Sequence, residues 1–519
     1  MGDLKVHDAD GKSVREPSRA PRRIQLFVFE WVPKSNPPSI FPPAARKLLG
    51  FNSLRPGQRE AIQSLLQKRD TLLVQPAGSG KSAVYRIAAS LLPGPAVIVS
   101  PLIALQKDRV ESIEAGKLEE GAVVNSALSA GEPQETLDPI QDGEVEFIFL
   151  APEQLRKPGT LNRLRAAGVS LFVIDEAHCI SQWGHDFRPD YLELAQVIET
   201  LGHPTLLAMT AAASKEVRDE IAGRLGMRDP RVIVHGFDRP NISLRVDLFR
   251  QQDEKIEALL KRVEFADKSG IVYVATHKHA GMLVAQLKQR SVDAVFYHGG
   301  LKAKDRGEIQ DRFMTGNVPV IVATSAFGME VDKPDIRFVY HAHVGESLDA
   351  YYRELGQAGR DGEPAEAVLF YRPGDISAQR FKTGAGHVNA ADLQAFADAL
   401  HSHRDAASLR QLCLSTSLSE RRILTIAHQL ETIGVAKEIN TGKIGLIRKK
   451  TPAEMVEAAS EQQGFLKEIG RRRLEQMRRY AEARNCRREF LLRYFGDDFA
   501  GPCGNCDRCE SNGAIAAAG

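Results

Sequence analysis

The 519-residue sequence lacks several features that would narrow its function at once. No apolar run is long enough to span a bilayer, and the first residues lack the apolar core of a secretory signal. The formal net charge of +2 neither requires nor excludes a nucleic-acid partner. Six cysteines are too few for a disulfide scaffold in a chain of this length. We therefore expect a multidomain intracellular protein that binds no membrane and is cytoplasmic, with nucleoid association if the source is bacterial.

The regular feature of the chain is an alternation of strand-like apolar runs with helical stretches. One series occupies residues 46–238 and contains TLLV, AVIVS, FIFLAP, LFVIDE and TLLAMT. A second series occupies residues 239–375 and contains GIVYVAT, DAVFYH, VPVIVAT, RFVYHA and AVLFY. This rhythm predicts two α/β domains with parallel sheets and flanking helices. Residues 1–45, rich in Pro and basic side chains, form a predicted arm of unassigned function.

Beyond residue 375 the pattern becomes helical. Residues 376–455 contain a helix, turn, helix and hairpin pattern, in which Ser419 can cap the second helix and one face carries Ile423, Ile426, Leu430 and Ile433. This pattern indicates a winged-helix-like unit, although a purely structural spacer is an open alternative. Residues 456–519 carry an arginine-rich helix and four cysteines. The excess of arginine over glutamate in this helix favours arginines that follow DNA phosphates, and a solvated face paired with glutamates is the open alternative.

A glycine-bearing loop follows the first strand-like run. In TLLVQPAGSGKSAVYRIAA the loop lies between a predicted strand and a helix that Lys81 opens. Backbone N–H groups in such a loop bind phosphate, while the lysine neutralises the β- and γ-phosphates and Ser82 binds Mg²⁺. Gln75 stands where the strict pattern has glycine. The candidate ATP contacts are Gly78, Ser79, Gly80, Lys81 and Ser82.

Two adjacent carboxylates end the run VIDEAH. Asp175 would hold Mg²⁺ through water, and Glu176 would orient and deprotonate the attacking water. A phosphate loop and a carboxylate pair, both at predicted strand ends, indicate a nucleoside triphosphatase that uses ATP and Mg²⁺.

The stretch DEAHCISQWGHDFRPDY resembles the RecQ family of DNA helicases, a branch of superfamily 2. The resemblance covers about residues 51–371 and resumes at 486–509. It implies two tandem RecA-like domains. FNSLRPGQ is similar to the adenine-recognition segment of the family, which implies that Phe51 stacks on the base, Gln58 reads its edge and Arg55 assists.

The same resemblance assigns the aromatic stretch after Glu176 to a loop that contacts single-stranded DNA and reports it to the ATP site. Stacking of a base on an aromatic ring contributes about 1–3 kcal/mol and tolerates any sequence. The interleaved Gly, Pro and charged residues disfavour a simple core role. The candidate DNA contacts are Trp183, His185, Phe187 and Arg188.

Four cysteines near the C-terminus have metal-ligand spacing. Four thiolates suit tetrahedral Zn²⁺, while two-residue spacings also suit an iron–sulfur cluster. The family resemblance implies a zinc module with these ligands. The candidate ligands are Cys486, Cys503, Cys506 and Cys509. Cys179 and Cys413 stand alone and are expected in the core.

YYRELGQAGRDG resembles the arginine-finger motif of the family, which reads Gln-x-x-Gly-Arg-x-Gly-Arg. Here Arg353 occupies the glutamine position, Gln357 occupies the first arginine position, and Arg360 is kept. The hypothesis is that Arg360 is the finger and that Arg353 partly restores the missing charge. Drift with reduced activity is the open alternative.

The leading interpretation is an ATP-dependent 3′-to-5′ DNA helicase of repair or recombination, as the resemblance implies. It would take single-stranded and forked or duplex DNA, ATP, Mg²⁺ and Zn²⁺, and a monomer would suffice. The alternatives are a DNA-stimulated translocase that does not separate strands, and a non-hydrolysing DNA-binding scaffold. The winged-helix-like unit would serve as the duplex grip.

Overall fold

The computed structural model describes residues 57–76, 79–100, 122–125, 145–156, 158–181, 189–266, 269–325, 333–384, 388–403, 406–439, 442–447, 450–497 and 499–511, with Leu54 and Phe327. The predicted arm at 1–45 lies outside the described residues. None of the described helices combines the length and the apolar character needed to cross a membrane.

A seven-stranded parallel sheet forms the first half of the described chain, in the order β3-β4-β2-β5-β6-β1-β7. Its central strands are buried on both faces, which explains their unbroken apolar runs. The strands are β1 (Thr71–Val74), β2 (Ala96–Val99), β3 (Ala122–Asn125), β4 (Val145–Leu150), β5 (Leu171–Ile174), β6 (Thr205–Thr210) and β7 (Arg231–Val234). The helices are α1 (Gln58–Leu66), α2 (Lys81–Leu91), α3 (Pro158–Ala167), α4 (Leu194–Thr200) and α5 (Lys215–Arg224), with 3-10 turns at Pro152–Arg156, Ala177–Ile180 and Pro189–Glu193.

A six-stranded parallel sheet forms the second half, in the order β10-β11-β9-β12-β13-β8. The two sheets with their helices confirm the predicted tandem RecA-like architecture. The strands are β8 (Ile242–Leu248), β9 (Gly270–Tyr273), β10 (Ala294–Tyr297), β11 (Val320–Ala323), β12 (Phe338–His341) and β13 (Ala365–Tyr371). The helices are α6 (Gln252–Glu264), α7 (His277–Gln289), α8 (Ala303–Met314), α9 (Leu348–Leu355) and α10 (Pro373–Gly384).

A small unit with its own apolar core follows the second sheet. Its three-stranded antiparallel sheet has the order β14-β16-β15. Ser419 caps its third helix by accepting a bond from the Arg422 N–H group at 3.3 Å, and Ile423, Ile426 and Leu430 are buried. The elements are α11 (Ala390–Ser402), β14 (Ala406–Ser408), α12 (Leu409–Thr416), α13 (Glu420–Thr432), β15 (Ala436–Ile439) and β16 (Lys443–Leu446).

Two helices complete the described chain: α14 (Pro452–Glu482) and α15 (Arg487–Phe495). The first has 31 residues and spans about 46 Å at the usual helical rise. Thr451 begins it with a capping box that Glu454 completes. The boundary expected at residue 455 falls inside this helix. Met455 and Ala459 pack in the core of the small unit, whereas Met477 and Tyr480 belong to the large core that continues into the sheets.

Candidate functional site

The candidate nucleotide site lies at the carboxyl ends of three neighbouring strands. Strands β5, β6 and β1 lie side by side in parallel, so the segments that follow them meet at one edge of the sheet. Asp175 follows β5, Thr210 ends β6, and the loop to Lys81 follows β1. Three segments far apart in sequence therefore supply one site.

The phosphate loop is held by two side chains. The Lys81 ammonium donates to the carbonyl oxygens of Gln75 at 2.7 Å and Pro76 at 3.1 Å. The Gln58 amide donates to the carbonyls of Ser79 and Gly80, both at 3.0 Å. Gly80 has φ +80°, a left-handed conformation that glycine adopts without strain. The lysine thus begins α2 with its charge already at the loop.

Not every residue expected in the nucleotide site falls within the described chain. Gly78, Phe51 and Arg55 lie outside it. Gln58 is buried, and its amide nitrogen contacts the phosphate loop. Its role at the adenine edge stays a prediction.

The two carboxylates have different surroundings. Asp175 is buried, and its carboxylate accepts a bond from the Glu176 N–H group at 3.0 Å. Glu176 has φ +49°, a left-handed conformation that is uncommon for a residue other than glycine. Asp175 follows β5 and Ser82 lies in the first turn of α2 after β1, at the same end of the sheet. A carboxylate and a hydroxyl are oxygen ligands that suit Mg²⁺, so the chemistry of these two residues fits the predicted ion.

His178 links Glu176 to the next strand. Its Nδ1 lies 2.9 Å from the Thr210 hydroxyl and 3.3 Å from the Glu176 carboxylate. Burial by itself raises the pKa of Glu176, but the hydrogen bond and charge of His178, with the charges of Lys81 and Arg353, lower it to about 2. Glu176 is therefore ionised at neutral pH. Sequence reasoning did not assign a role to His178, although its place in DEAH was a signal.

The predicted DNA-contacting residues Trp183, His185, Phe187 and Arg188 lie outside the described residues. Both flanks of their segment are described and fixed. Ser181 is buried and donates its hydroxyl to Glu220 of α5 at 2.5 Å. Tyr191 is buried and donates its hydroxyl to the backbone carbonyl of Asp175 at 3.1 Å. One end of the segment is therefore bonded directly to the residue expected to bind Mg²⁺.

Helix α9 and the turn after it bring the second sheet to the site. The helix ends at Leu355, so Arg353 is helical and Gln357 lies beyond its end. The exchanged positions therefore do not share one helical face, because Gly356 already caps the helix. Arg239 holds the turn by donating to the carbonyls of Ala358 and Gly359, both at 2.8 Å.

Asp349, in the first turn of α9, joins three parts of the chain. Its carboxylate accepts a bond from the Ser214 N–H group, just beyond β6, at 3.1 Å, and another from the Tyr494 hydroxyl of α15 at 2.6 Å. Arg218 of α5 donates to the carbonyl of Phe495 at 2.9 Å. No local pattern in the sequence pointed to this junction.

The four C-terminal cysteines come together. Their sulfur atoms all lie within 4.8 Å of one another, and those of Cys503 and Cys509 are 3.9 Å apart. Sulfur ligands of tetrahedral Zn²⁺, each about 2.3 Å from the ion, lie about 3.8 Å apart. The spacing has room for a single ion rather than a cluster of several metal atoms. The four described thiols therefore fit zinc.

Several arginines of the arginine-rich helix form ion pairs with glutamates of the same helix. Arg471 and Arg472 pair with Glu468, both at 2.9 Å, and Arg478 pairs with Glu475 at 2.7 Å. These exposed pairs favour the solvated face over a row of arginines available to phosphates. As expected, Cys179 is buried in the core and Cys413 packs against the core of the small unit.

Three family models match the chain: DEAD/DEAH box helicase at residues 55–220, helicase conserved C-terminal domain at 254–362, and RecQ zinc-binding at 447–510. The probable ATP-dependent DNA helicase RecS of Bacillus subtilis is 37% identical over 476 residues, which cover 90% of each chain. The chain belongs to the RecQ family of ATP-dependent DNA helicases. The zinc-binding match also decides against the iron–sulfur alternative for the cysteines.

Other relatives are longer than this RecQ-family chain. ATP-dependent DNA helicase RecQ of Bacillus subtilis is 40% identical over 334 residues, which cover 64% of this chain and 56% of the relative. RecQ of Pasteurella multocida is 32% identical over 463 residues, covering 89% of this chain and 61% of the relative. The fold is also similar to the DEAD-box helicase Mss116 bound to single-stranded RNA, with a TM-score of 0.53, 17% identity, and coverage of 83% and 95%.

Proposed function

We propose that this RecQ-family protein couples ATP hydrolysis to 3′-to-5′ movement along single-stranded DNA and separates duplex strands, in repair or recombination. The observation that carries the proposal is the meeting of Lys81, Glu176 and Thr210 at one sheet edge, with the charge of Arg353 from the second sheet acting on Glu176. An ATP site at which both halves of a motor act is what converts hydrolysis into relative movement of those halves. We place this activity in the cytoplasm, with DNA as the partner.

In the proposed ATP site, the Lys81 ammonium exchanges its loop carbonyls for the β- and γ-phosphates. Ser82 and Asp175 would hold Mg²⁺, which would supply positive charge to the phosphates when bound. Glu176 orients the attacking water and accepts its proton, for which its ionised state is required. Arg360 supplies positive charge to the transition state from the second domain. Gly78, Ser79 and Gly80 cradle the phosphates, while Phe51, Arg55 and Gln58 hold the adenine.

His178 has a positioning role in this proposal. Burial by itself lowers its pKa, but its neighbours Cys179 and Glu176 raise it to about 10, so its ring carries a proton at neutral pH. A protonated Nδ1 donates to both Thr210 and Glu176. It therefore fixes the carboxylate relative to the end of β6, whose following loop contacts α9 through Ser214.

The aromatic segment is the proposed DNA sensor. Trp183 and Phe187 would stack on bases, and His185 and Arg188 would add polar contacts. The bond from Tyr191 to the Asp175 backbone supports this role, because a shift of the segment on DNA binding would reach the Mg²⁺ ligand through one hydrogen bond. DNA would thereby set the rate of hydrolysis.

The C-terminal parts have separate proposed roles. Zinc on the four cysteines would be structural, since all four tetrahedral positions are taken by protein.

The unit at 388–447 would grip duplex DNA with α13 and the hairpin β15–β16. We propose domains at 46–238, 239–375, 376–455 and 456–519. Replacing Arg448, Lys449 and Lys450 by alanine should weaken binding to forked duplex DNA; unchanged affinity would favour the structural-spacer alternative.

Unwinding of a 3′-tailed duplex in ATP and Mg²⁺ tests the proposal. The wild-type chain should release the displaced strand, while a 5′-tailed duplex should remain intact and Lys81→Ala should fail on both. DNA-stimulated hydrolysis without strand release would replace the helicase with a translocase. Binding to DNA with no hydrolysis in the wild-type chain would leave only a scaffold.

A further inference from the structure

The arginine-finger turn of this chain departs from its family at two positions, and the structure gives each a separate environment. Arg353 and Gln357 occupy each other's family positions four residues apart. A simple loss of charge at position 357 would leave one arginine to serve the transition state. The contacts of the two residues differ enough to assign each a task.

Helix α9 presents Arg353 towards the first sheet. Asp349, one turn earlier on the same face, is bonded to the Ser214 N–H group just beyond β6 at 3.1 Å. Thr210 at the end of β6 is bonded in turn to His178, the partner of Glu176. The face of α9 that carries Arg353 therefore fronts the segment that positions the catalytic carboxylate.

Arg353 is buried, and one of its hydrogen-bond donors has no acceptor. The residue is only 8% exposed, and its Nε–H group has no hydrogen-bond partner within the described part of the chain. The adjacent Glu354 is occupied by His341, whose Nε2 lies 2.8 Å from the carboxylate. A buried donor without an acceptor is destabilising, and an anion that reaches this N–H group would remove that cost. The arrangement therefore favours an anionic ligand at Arg353.

Gln357 has a different surrounding. It is 1% exposed, and its carbonyl oxygen accepts a bond from the Arg360 guanidinium at 2.5 Å. The turn that carries both residues is held by Arg239 through three backbone carbonyls at 2.8–3.2 Å. An arginine at position 357 would put a second guanidinium group next to that of Arg360. It could not accept a hydrogen bond from Arg360, as the Gln357 carbonyl oxygen does. Gln357 thus fixes the direction of Arg360.

We propose that the exchange divides the motif's work: Arg353 supplies a second positive charge to the triphosphate in the transition state, and Gln357 positions Arg360. The inference rests on the proposed ATP-dependent function. It requires no new ligand, because the β- and γ-phosphates are the anions that the cleft between the two sheets would receive. Arg353 is also among the charges that lower the pKa of Glu176, which agrees with a place near the catalytic carboxylate.

Steady-state ATP hydrolysis with saturating single-stranded DNA tests the inference on the full chain. Arg353→Gln should lower kcat on the order of 10²-fold, the usual effect of losing one preorganised donor to a transition state. Arg353→Lys should recover part of that loss, since it keeps the charge without the planar fork. The exchange variant Arg353→Gln with Gln357→Arg restores the second positive charge but removes the glutamine that orients Arg360, so its kcat should exceed that of Arg353→Gln and stay below that of wild type. Both kcat and kcat/KM should move together, because the interaction is made in the transition state.

Arg290→Gln is the matched control. Arg290 pairs with Glu257 and Glu264 at the end of α7, which leads into the amino end of β10 and so lies at the opposite edge of the sheet. Its hydrolysis should equal that of wild type. Equal hydrolysis by Arg353→Gln and wild type would overturn the inference, and so would an exchange variant that melts like wild type yet stays as slow as Arg353→Gln. A wild-type chain without DNA-stimulated hydrolysis would overturn the proposed function first, and the inference with it.

Discussion

Removal of one carboxylate, by Asp349→Ala, should loosen the contact among both sheets and the zinc module. Asp349 is buried and accepts bonds from the Ser214 N–H group at 3.1 Å and the Tyr494 hydroxyl at 2.6 Å. Alanine accepts neither bond. The buried Ser214 N–H group and the half-buried Tyr494 hydroxyl would then lose their acceptor in one substitution.

The expected loss follows from these two donors. Each buried donor left unsatisfied costs about 1–3 kcal/mol, so Asp349→Ala should lower the free energy of unfolding by about 2–6 kcal/mol. Tyr494→Phe removes one charge-assisted bond and should cost about 1.5–3 kcal/mol. Both single variants remove the bond between Asp349 and Tyr494. In the double variant the tyrosine hydroxyl is absent, so no unsatisfied hydroxyl is left and the loss of this bond enters only once. The combined loss should be smaller than the sum by about 1–2 kcal/mol.

Urea unfolding followed by tryptophan fluorescence and by circular dichroism measures these losses. Both signals are needed because a chain of several domains need not unfold in one step. Asp219→Ala is the control, since that carboxylate is 65% exposed and pairs with Lys215 on the same helix. Its effect should stay within about 0.5 kcal/mol. Additive losses for Asp349→Ala and Tyr494→Phe, or a loss from Asp349→Ala no larger than the control's, would refute the reasoning.

Three further outcomes are expected. The purified chain should contain one zinc per molecule by elemental analysis, and Cys506→Ser should lower both the zinc content and the melting temperature; a brown iron-containing protein would contradict this. Gly270→Ala should destabilise by about 1–3 kcal/mol in thermal melts, because its new methyl would lie 2.3 Å from the Phe338 ring, whereas Gly281→Ala on α7, with nothing within 4 Å, should be neutral or stabilising. His178→Ala should slow hydrolysis in a coupled ATPase assay without lowering DNA affinity in a filter-binding assay, and an unchanged rate would remove His178 from the site.

Much of the fold could be predicted because its signals are local. Buried parallel strands are apolar on both faces, so unbroken apolar runs such as LFVI and VIVA can be recognised as strands from the sequence alone. The strands that sequence reasoning missed have weaker patterns. Strand β7 is an edge strand with exposed residues, and β8 alternates between buried and half-buried positions. The phosphate loop and the four cysteines were predictable for the same reason, because most of the residues of each site lie close together in the sequence.

The parts that escaped prediction depend on distant pairs. Asp349 and Tyr494 are 145 residues apart, and neither stands in a pattern that marks it as polar and buried. The extent of α14 escaped for another reason. Gly464 and Gly470 would weaken an isolated helix, but both halves of α14 are packed against separate cores, and tertiary packing outweighs propensity.

The continuity of α14 has a mechanical consequence for the proposed motor. Its first half is tied to the small unit, where Gln429 donates to the carbonyl of Ala459 at 2.9 Å. Its last turns place the Tyr480 hydroxyl 3.4 Å from that of Tyr351 on α9, and Arg487 donates to the Tyr480 carbonyl at 2.5 Å. One continuous helix therefore joins the small unit to the contact with α9. Duplex DNA that moves the small unit would therefore act on α9, the helix that carries both Asp349 and Arg353.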